Sequence, residues 1–170
     1  MGICADCSFD NTGYSIYCIN CKRRLEDLMA PTRYTYRAQE VNSEGHWVCG
    51  SYMKFLPYTP SPLSGDPAES EYRHIIITED FSDFNMSRGL RVYEVKPETV
   101  CQCTQTRDVT GKPVYENDIV EYQELMFIVV WDGIGFSLKY PTNGALVDFP
   151  RGNNVVKILG STIENPGILN

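Results

Sequence analysis

Asp118-Ile-Val-Glu-Tyr122, Met126-Phe-Ile-Val-Val-Trp131, Asp132-Gly133 and Gly135-Phe-Ser-Leu-Lys-Tyr140 are the stretches that decide the fold. Each apolar run is strand-sized and rich in β-branched and aromatic residues, and the last alternates apolar with polar. Asp-Gly between two such runs is a strong two-residue hairpin signal. Gly111-Lys112 marks a turn before them. Pro141 to Gly144 turns after them, and Val155-Val-Lys-Ile-Leu159 is predicted as a final strand. Several short strands at close spacing, joined by turn residues, point to a small barrel or sandwich.

Working upstream, the pattern stays β back to Arg33. Arg33-Tyr-Thr-Tyr-Arg-Ala38 alternates, Asn42-Ser-Glu-Gly45 supplies a turn, and His46 to Leu56 continues as the second strand of a hairpin. Pro57 to Glu71 holds four prolines with Ser, Gly and Asp, so residues 57–71 are expected to form a long, mobile loop. Tyr72 to Thr78, around Ile75-Ile-Ile77, reads as a buried strand, and Leu90 to Val95 as another that ends before Pro97. Glu79 to Gly89 carries no pattern that assigns it.

The first 21 residues are of a different kind. Cys4-Ala-Asp-Cys7 and Cys18-Ile-Asn-Cys21 are two CxxC pairs ten residues apart. Two such turns facing each other make a tetrahedral S₄ cage, the geometry that zinc and rubredoxin-type iron accept. So short a segment buries too little apolar surface to fold alone, and the metal would supply its folding energy. Disulfides are the alternative. Seven cysteines is an odd number, and no apolar secretory run precedes Cys4, both of which suit a reducing compartment. A structural Zn²⁺ held by Cys4, Cys7, Cys18 and Cys21 is therefore expected. The segment resembles the short zinc ribbons found at the ends of many bacterial proteins, with Ser8 and Lys22 where glycines usually follow each knuckle. Arg24 to Met29 has helical spacing and stops at Pro31, which divides the chain into a ribbon with a short helical tail (1–30) and a β domain (31–170).

The 170-residue chain has a net charge of −7 and is 42% hydrophobic. That balance excludes wholesale disorder, and an acidic chain repels phosphate backbones, which disfavours general nucleic-acid binding. Lys22, Arg23 and Arg24 are the local exception. They could offset the charge of a zinc tetrathiolate or touch a partner or nucleic acid. No apolar run reaches bilayer length, so a cytoplasmic protein without membrane attachment is expected. Exposed strand edges leave self-association open.

From Val95 onward the chain resembles the YopX family, found mainly in bacteriophages and prophages. The family text is a Val-x-Pro-Glu-Thr-Val segment, then Gly-Gln-Tyr-Thr-Gly, an Asp-x-Asn-Gly-Lys turn and Ile-Tyr-Glu-Gly-Asp-Ile-Val. Here it stands as Val95-Lys-Pro-Glu-Thr-Val100, Cys101-Gln-Cys-Thr-Gln105, Asp108-Val-Thr-Gly-Lys112 and Val114-Tyr-Glu-Asn-Asp-Ile-Val120. The family ending appears as Gly160-Ser-Thr-Ile-Glu-Asn-Pro166, and Gly45-His-Trp-Val-Cys-Gly50 looks like its Gly-x-Trp-Val-Tyr-Gly. Cys49, Cys101 and Cys103 occupy positions that are Tyr or Gly in the family, which argues against their being metal ligands, and the Cys101-Gln-Cys103 pair is expected to pack. Asn117 and Gln105 each replace a family glycine. The resemblance implies a phage-derived accessory protein and no particular chemistry. The three meandering strands led by Asp118-Ile-Val120 also look like an SH3-like barrel, so the expected fold is mainly β: a zinc ribbon followed by a YopX-like domain with such a barrel.

Chemistry-bearing residues are few. His46 and His74 are the only histidines, and each reads first as a strand residue with a partner. No Gly-x-Ser-x-Gly or phosphate loop is present. Trp47, Tyr93, Tyr115, Tyr122 and Trp131 could form a stacking face, although aromatics alternating along strands more often pack a core. A non-enzymatic protein that binds a host or phage protein, and inhibits a defence or replication factor, is the leading expectation. Nucleic-acid binding through Lys22, Arg23, Arg24 and exposed aromatics is the alternative.

Overall fold

β-Branched and aromatic side chains recur at period two through nearly every segment of the β domain, and those segments fold as strands. The computed structural model describes residues 35–61, 65–80 and 89–169, together with the strands at 2–3 and 10–11. The strands are β1 (Gly2–Ile3), β2 (Asp10–Asn11), β3 (Thr35–Gln39), β4 (Trp47–Phe55), β5 (Arg73–Asp80) and β6 (Gly89–Glu94). Then follow β7 (Cys101–Arg107), β8 (Pro113–Tyr115), β9 (Asp118–Tyr122), β10 (Leu125–Trp131), β11 (Phe136–Lys139), β12 (Leu146–Asp148) and β13 (Lys157–Ser161). Short 3₁₀ turns at Glu69–Glu71, Pro97–Thr99 and Pro166–Leu169 are the only helical pieces among the described residues.

From β3 onward the strands form two antiparallel sheets. The larger runs β6-β5-β4-β3-β7-β8 and the smaller runs β12-β11-β10-β9-β13. The larger sheet curls until the ends of β3 and β6 meet. Glu40 bridges Val95, and the Val41 N–H donates to the Glu94 carbonyl at 2.9 Å while the Lys96 N–H donates to that of Gln39 at 2.9 Å. Ala38, Val48, Ile76 and Val95 fill the concave side, with Tyr36, Tyr52, Tyr93 and Val100 packed around them. The smaller sheet has its own core of Val114, Val120, Phe127, Val129, Leu138 and Val156. Cys101, Cys103 and Tyr115 form a third buried cluster with Ile163 against it.

The architecture is mainly β, as the patterning predicts. The expected barrel does not close: the smaller sheet ends at β12 on one side and β13 on the other. Its β9–β12 part is an antiparallel meander. The Asp132-Gly133 hairpin is a four-residue loop rather than a two-residue one, since Trp131 pairs with Phe136. Asp132 dictates that length by accepting the N–H groups of Ile134 and Gly135, each at 3.0 Å. The final strand begins at Lys157, two residues later than expected: the Val156 carbonyl accepts the Val109 N–H at 2.9 Å instead of a ladder partner. The ribbon cysteines, the basic tail and the helix of residues 24–29 lie outside the described residues, while β1 and β2 pair antiparallel on either side of Cys4–Cys7 (Gly2 with Asn11, Ile3 with Asp10). Between β4 and β5 the described residues hold no strand, and the 3₁₀ turn there is tied to β4 by Lys54 donating to Glu69 at 2.5 Å.

Candidate functional site: the polar junction and the Trp131 cleft

The two sheets meet at Arg37. Arg37 stands between Cys49 and Cys101 in the strand register, and all three side chains share one face. Its guanidinium donates to the Asp118 carboxylate, which heads β9 of the other sheet. It lies 5.0 Å from the Trp47 ring centroid and 4.6 Å from that of Tyr115, a double cation–π stack. Asp118 is 1% exposed, and its second oxygen accepts the Tyr115 N–H at 2.8 Å. Trp47 donates its indole N–H to Glu164 at 2.5 Å, adding another tie across the junction. Burial pushes the Asp118 carboxyl up against the opposing pull of Arg37. Burial lowers the Arg37 value, but the Asp118 and Cys101 partners outweigh it and the net direction is upward. Arg37 Nε is buried without a partner among the described residues. A buried charge pair locked between aromatics is a latch: breaking it exposes one charge to an apolar setting.

Of the thiols around the latch, Cys101 and Cys103 are buried packing groups and Cys49 is exposed. Cys101 donates to the Thr99 carbonyl at 3.3 Å and accepts from Asn117 at 3.6 Å. Cys103 accepts the Gln105 N–H at 3.4 Å. Tyr115 donates its hydroxyl to Cys49 at 3.8 Å. Burial raises the thiol pKa of Cys101 and Cys103, and burial with the neighbouring sulfurs raises that of Tyr115. Thiols held neutral in this way are poor nucleophiles. Among the described residues no group of three His, Cys, Asp or Glu side chains is arranged to hold a metal ion.

The histidines have separate partners. His46 bonds Glu40 at 3.0 Å in the turn before β4. His74 is buried in β5 and bonds the Tyr52 hydroxyl at 2.6 Å. The five aromatics named from sequence are dispersed as well. Tyr115 is in the junction, Tyr93 and Tyr122 pack on separate cores, and Trp47 stacks on Arg37. Trp131 alone lies on an open surface. Cys4, Cys7, Cys18, Cys21, Lys22, Arg23 and Arg24 fall outside the described residues.

Trp131 borders a shallow cleft of about 430 Å³ lined by Glu116, Val130, Asp132, Lys139, Gly144 and Leu146. Trp131 is 47% exposed, Leu146 51% and Ile134, at the tip of the β10–β11 loop, 95%. The loop that carries Ile134 and follows Trp131 is tightly hydrogen-bonded: besides the two N–H bonds, Asp132 accepts the Ser137 hydroxyl at 2.5 Å. The Ser137 hydroxyl and the N–H groups of Ile134 and Gly135 hold the Asp132 carboxyl below its ordinary range. Sequence patterning assigned Trp131 to a strand but could not say which side faced water. The Arg37–Asp118 partnership, 81 residues apart, left no sequence signal beyond the Asp118-Ile-Val segment itself.

No protein-family model matches the chain, and no curated protein matches it. Among the described residues no helix is long and apolar enough to cross a membrane.

Proposed function

We propose that the chain is a phage or prophage accessory protein, related to the YopX family, that acts by binding a host or phage protein. The observation that carries this is the exposed apolar end of the smaller sheet: Trp131, which closes β10, and Ile134, on the hydrogen-bonded loop that follows it, are held out to solvent, and Leu146 is exposed on the other face at β12. Large apolar side chains gathered on a rigid surface mark interaction sites. The YopX relationship is supported by the backbone. Gln105 and Asn117, where the family has glycine, adopt positive φ of 68° and 65°, the region that glycine enters most easily. The ribbon belongs to the same proposal: the β1–β2 pairing flanks the first CxxC, and a zinc ion on the four cysteines would organise a small added contact module. The net charge of −7 favours a basic protein surface over nucleic acid as the partner.

Affinity capture from host lysate tests the proposal. The full chain is expected to retain a specific partner that a Trp131→Ser, Ile134→Ser double variant loses. No partner, or equal capture by the double variant, overturns it.

A further inference from the structure

We propose that the open edge of β12, the side away from β11, is a peptide-binding edge that takes an extended segment of the pattern basic-x-aliphatic, antiparallel to β12. This deepens the protein-binding proposal above and rests on it.

The edge follows from hydrogen-bond parity. The Tyr140 N–H donates to the Ala145 carbonyl at 2.9 Å, and Leu138 pairs with Val147 in the same register. Bonded pairs alternate with non-bonded ones in an antiparallel ladder. The Ala145 carbonyl and the backbone groups of Val147 therefore face β11, while the Ala145 N–H donates to the Asn143 side chain at 3.0 Å. Leu146 and Asp148 direct theirs outward, where no neighbour among the described residues receives them, since β12 ends the sheet. Two residues with open N–H and C=O groups are the docking template of strand addition.

The side chains beside that edge set the specificity. Leu146 lies in one cross-strand row with Lys139 and Ile128, and Asp148 in the next with Ser137 and Val130, all on one face. Ser137 is bonded to Asp132, so Asp132 and Asp148 lie on either side of it, with Glu116 on the cleft wall beyond. A basic side chain opposite Asp148 would meet this negative end. An aliphatic one opposite Leu146 would lie against Leu146 and the Lys139 stem, which runs along Gly144 with its Cε 3.7 Å from a Cβ built there. An antiparallel guest places those two residues two apart, with the basic one first. Antiparallel addition continues the pattern of the whole sheet and is slightly more stable per residue than parallel.

The probe is a capped heptapeptide, Ser-Thr-Lys-Thr-Ile-Thr-Ser, titrated into the isotopically labelled full chain and followed by amide chemical shifts and hydrogen exchange. Binding is expected to shift the amides of residues 130–132 and 144–149 and to slow exchange at Leu146 and Asp148. Asp148→Lys should weaken the peptide by at least about tenfold, and replacing the peptide lysine by glutamate should restore binding to that variant. If Asp148→Lys fails to fold, the glutamate peptide against the unaltered chain carries the same charge test, with loss of binding expected. Shifts elsewhere, no shifts at millimolar peptide, or equal binding of the lysine and glutamate peptides to the unaltered chain overturn the proposal. Lysate capture separates it from the broader one: a partner retained equally by Asp148→Lys leaves protein binding standing and removes this edge as its site.

Discussion

Replacing Arg37 by methionine, alone and together with Asp118→Asn, probes what joins the two sheets. Asp118 is 1% exposed and the Arg37 side chain 19%, so neither charge has bulk water to turn to when its partner goes. Removing one member of a buried pair costs about 3–5 kcal/mol, because the survivor is left uncompensated. Methionine keeps much of the volume between Trp47 and Tyr115 but loses both cation–π stacks, each about 0.5–2 kcal/mol. We expect Arg37→Met to cost about 4 kcal/mol. Asp118→Asn should cost about 2–3 kcal/mol, since the amide oxygen can still accept the Tyr115 N–H. The double variant leaves no lone charge and should cost only about 3–4 kcal/mol, a coupling energy of about 3 kcal/mol. At about 2–4 °C per kcal/mol for a chain of this size, Arg37→Met lowers Tm by about 8–16 °C. Urea unfolding followed by circular dichroism, with thermal melts beside it, measures all three. Single variants that cost under about 1 kcal/mol, or costs that simply add, would refute the latch.

Four further outcomes are expected. Gln123 and Glu124 form the two-residue β9–β10 turn with φ of 51° and 64°. Gln123→Asn with Glu124→Gly should therefore raise stability by about 1 kcal/mol, read as a higher urea midpoint at unchanged slope. A Cβ at Gly50 would collide with the Ile77 carbonyl and stand 3.0 Å from Ile76 Cγ2, so Gly50→Ala should destabilise by about 3 kcal/mol or more, or yield no soluble protein. Asp108 is buried, and although burial raises its pKa, bonds from Thr110, Lys112 and Ile158 bring the net direction below 3.8. Its folded value is the depressed one, so its contribution is complete above the unfolded value and fades as pH falls through the folded one. Asp108→Asn should flatten the acid end of the stability–pH curve, seen in urea midpoints from pH 7 to pH 2. Elemental analysis of the reduced, purified chain should find one zinc per chain, and Cys18→Ser with Cys21→Ser should abolish it.

Strand identity was legible wherever apolar residues alternated. Asp118–Tyr122 was read residue for residue, and Met126–Trp131 to within one residue. β7 was missed because its buried residues are Cys101 and Cys103 among Gln and Thr, a run without the aliphatics that announce a strand. β12 was missed because three residues after Gly144 are too few to show a period. Asn117 has a φ of 65°, a left-handed backbone that Asn tolerates better than most residues; Gln105 adopts 68° without that tolerance, at the bulge between Cys103 and Arg107.

By itself the order of residues determined the β character, the places of several turns and the CxxC spacing, all of which are local periodicities of a few residues. The tertiary structure alone decided that the larger sheet curls onto itself, that Arg37 finds Asp118, and that Trp131 faces water while Tyr115 does not. Those outcomes depend on which distant strands become neighbours. Chain-end geometry and competing burial settle that choice, and a sequence window contains neither.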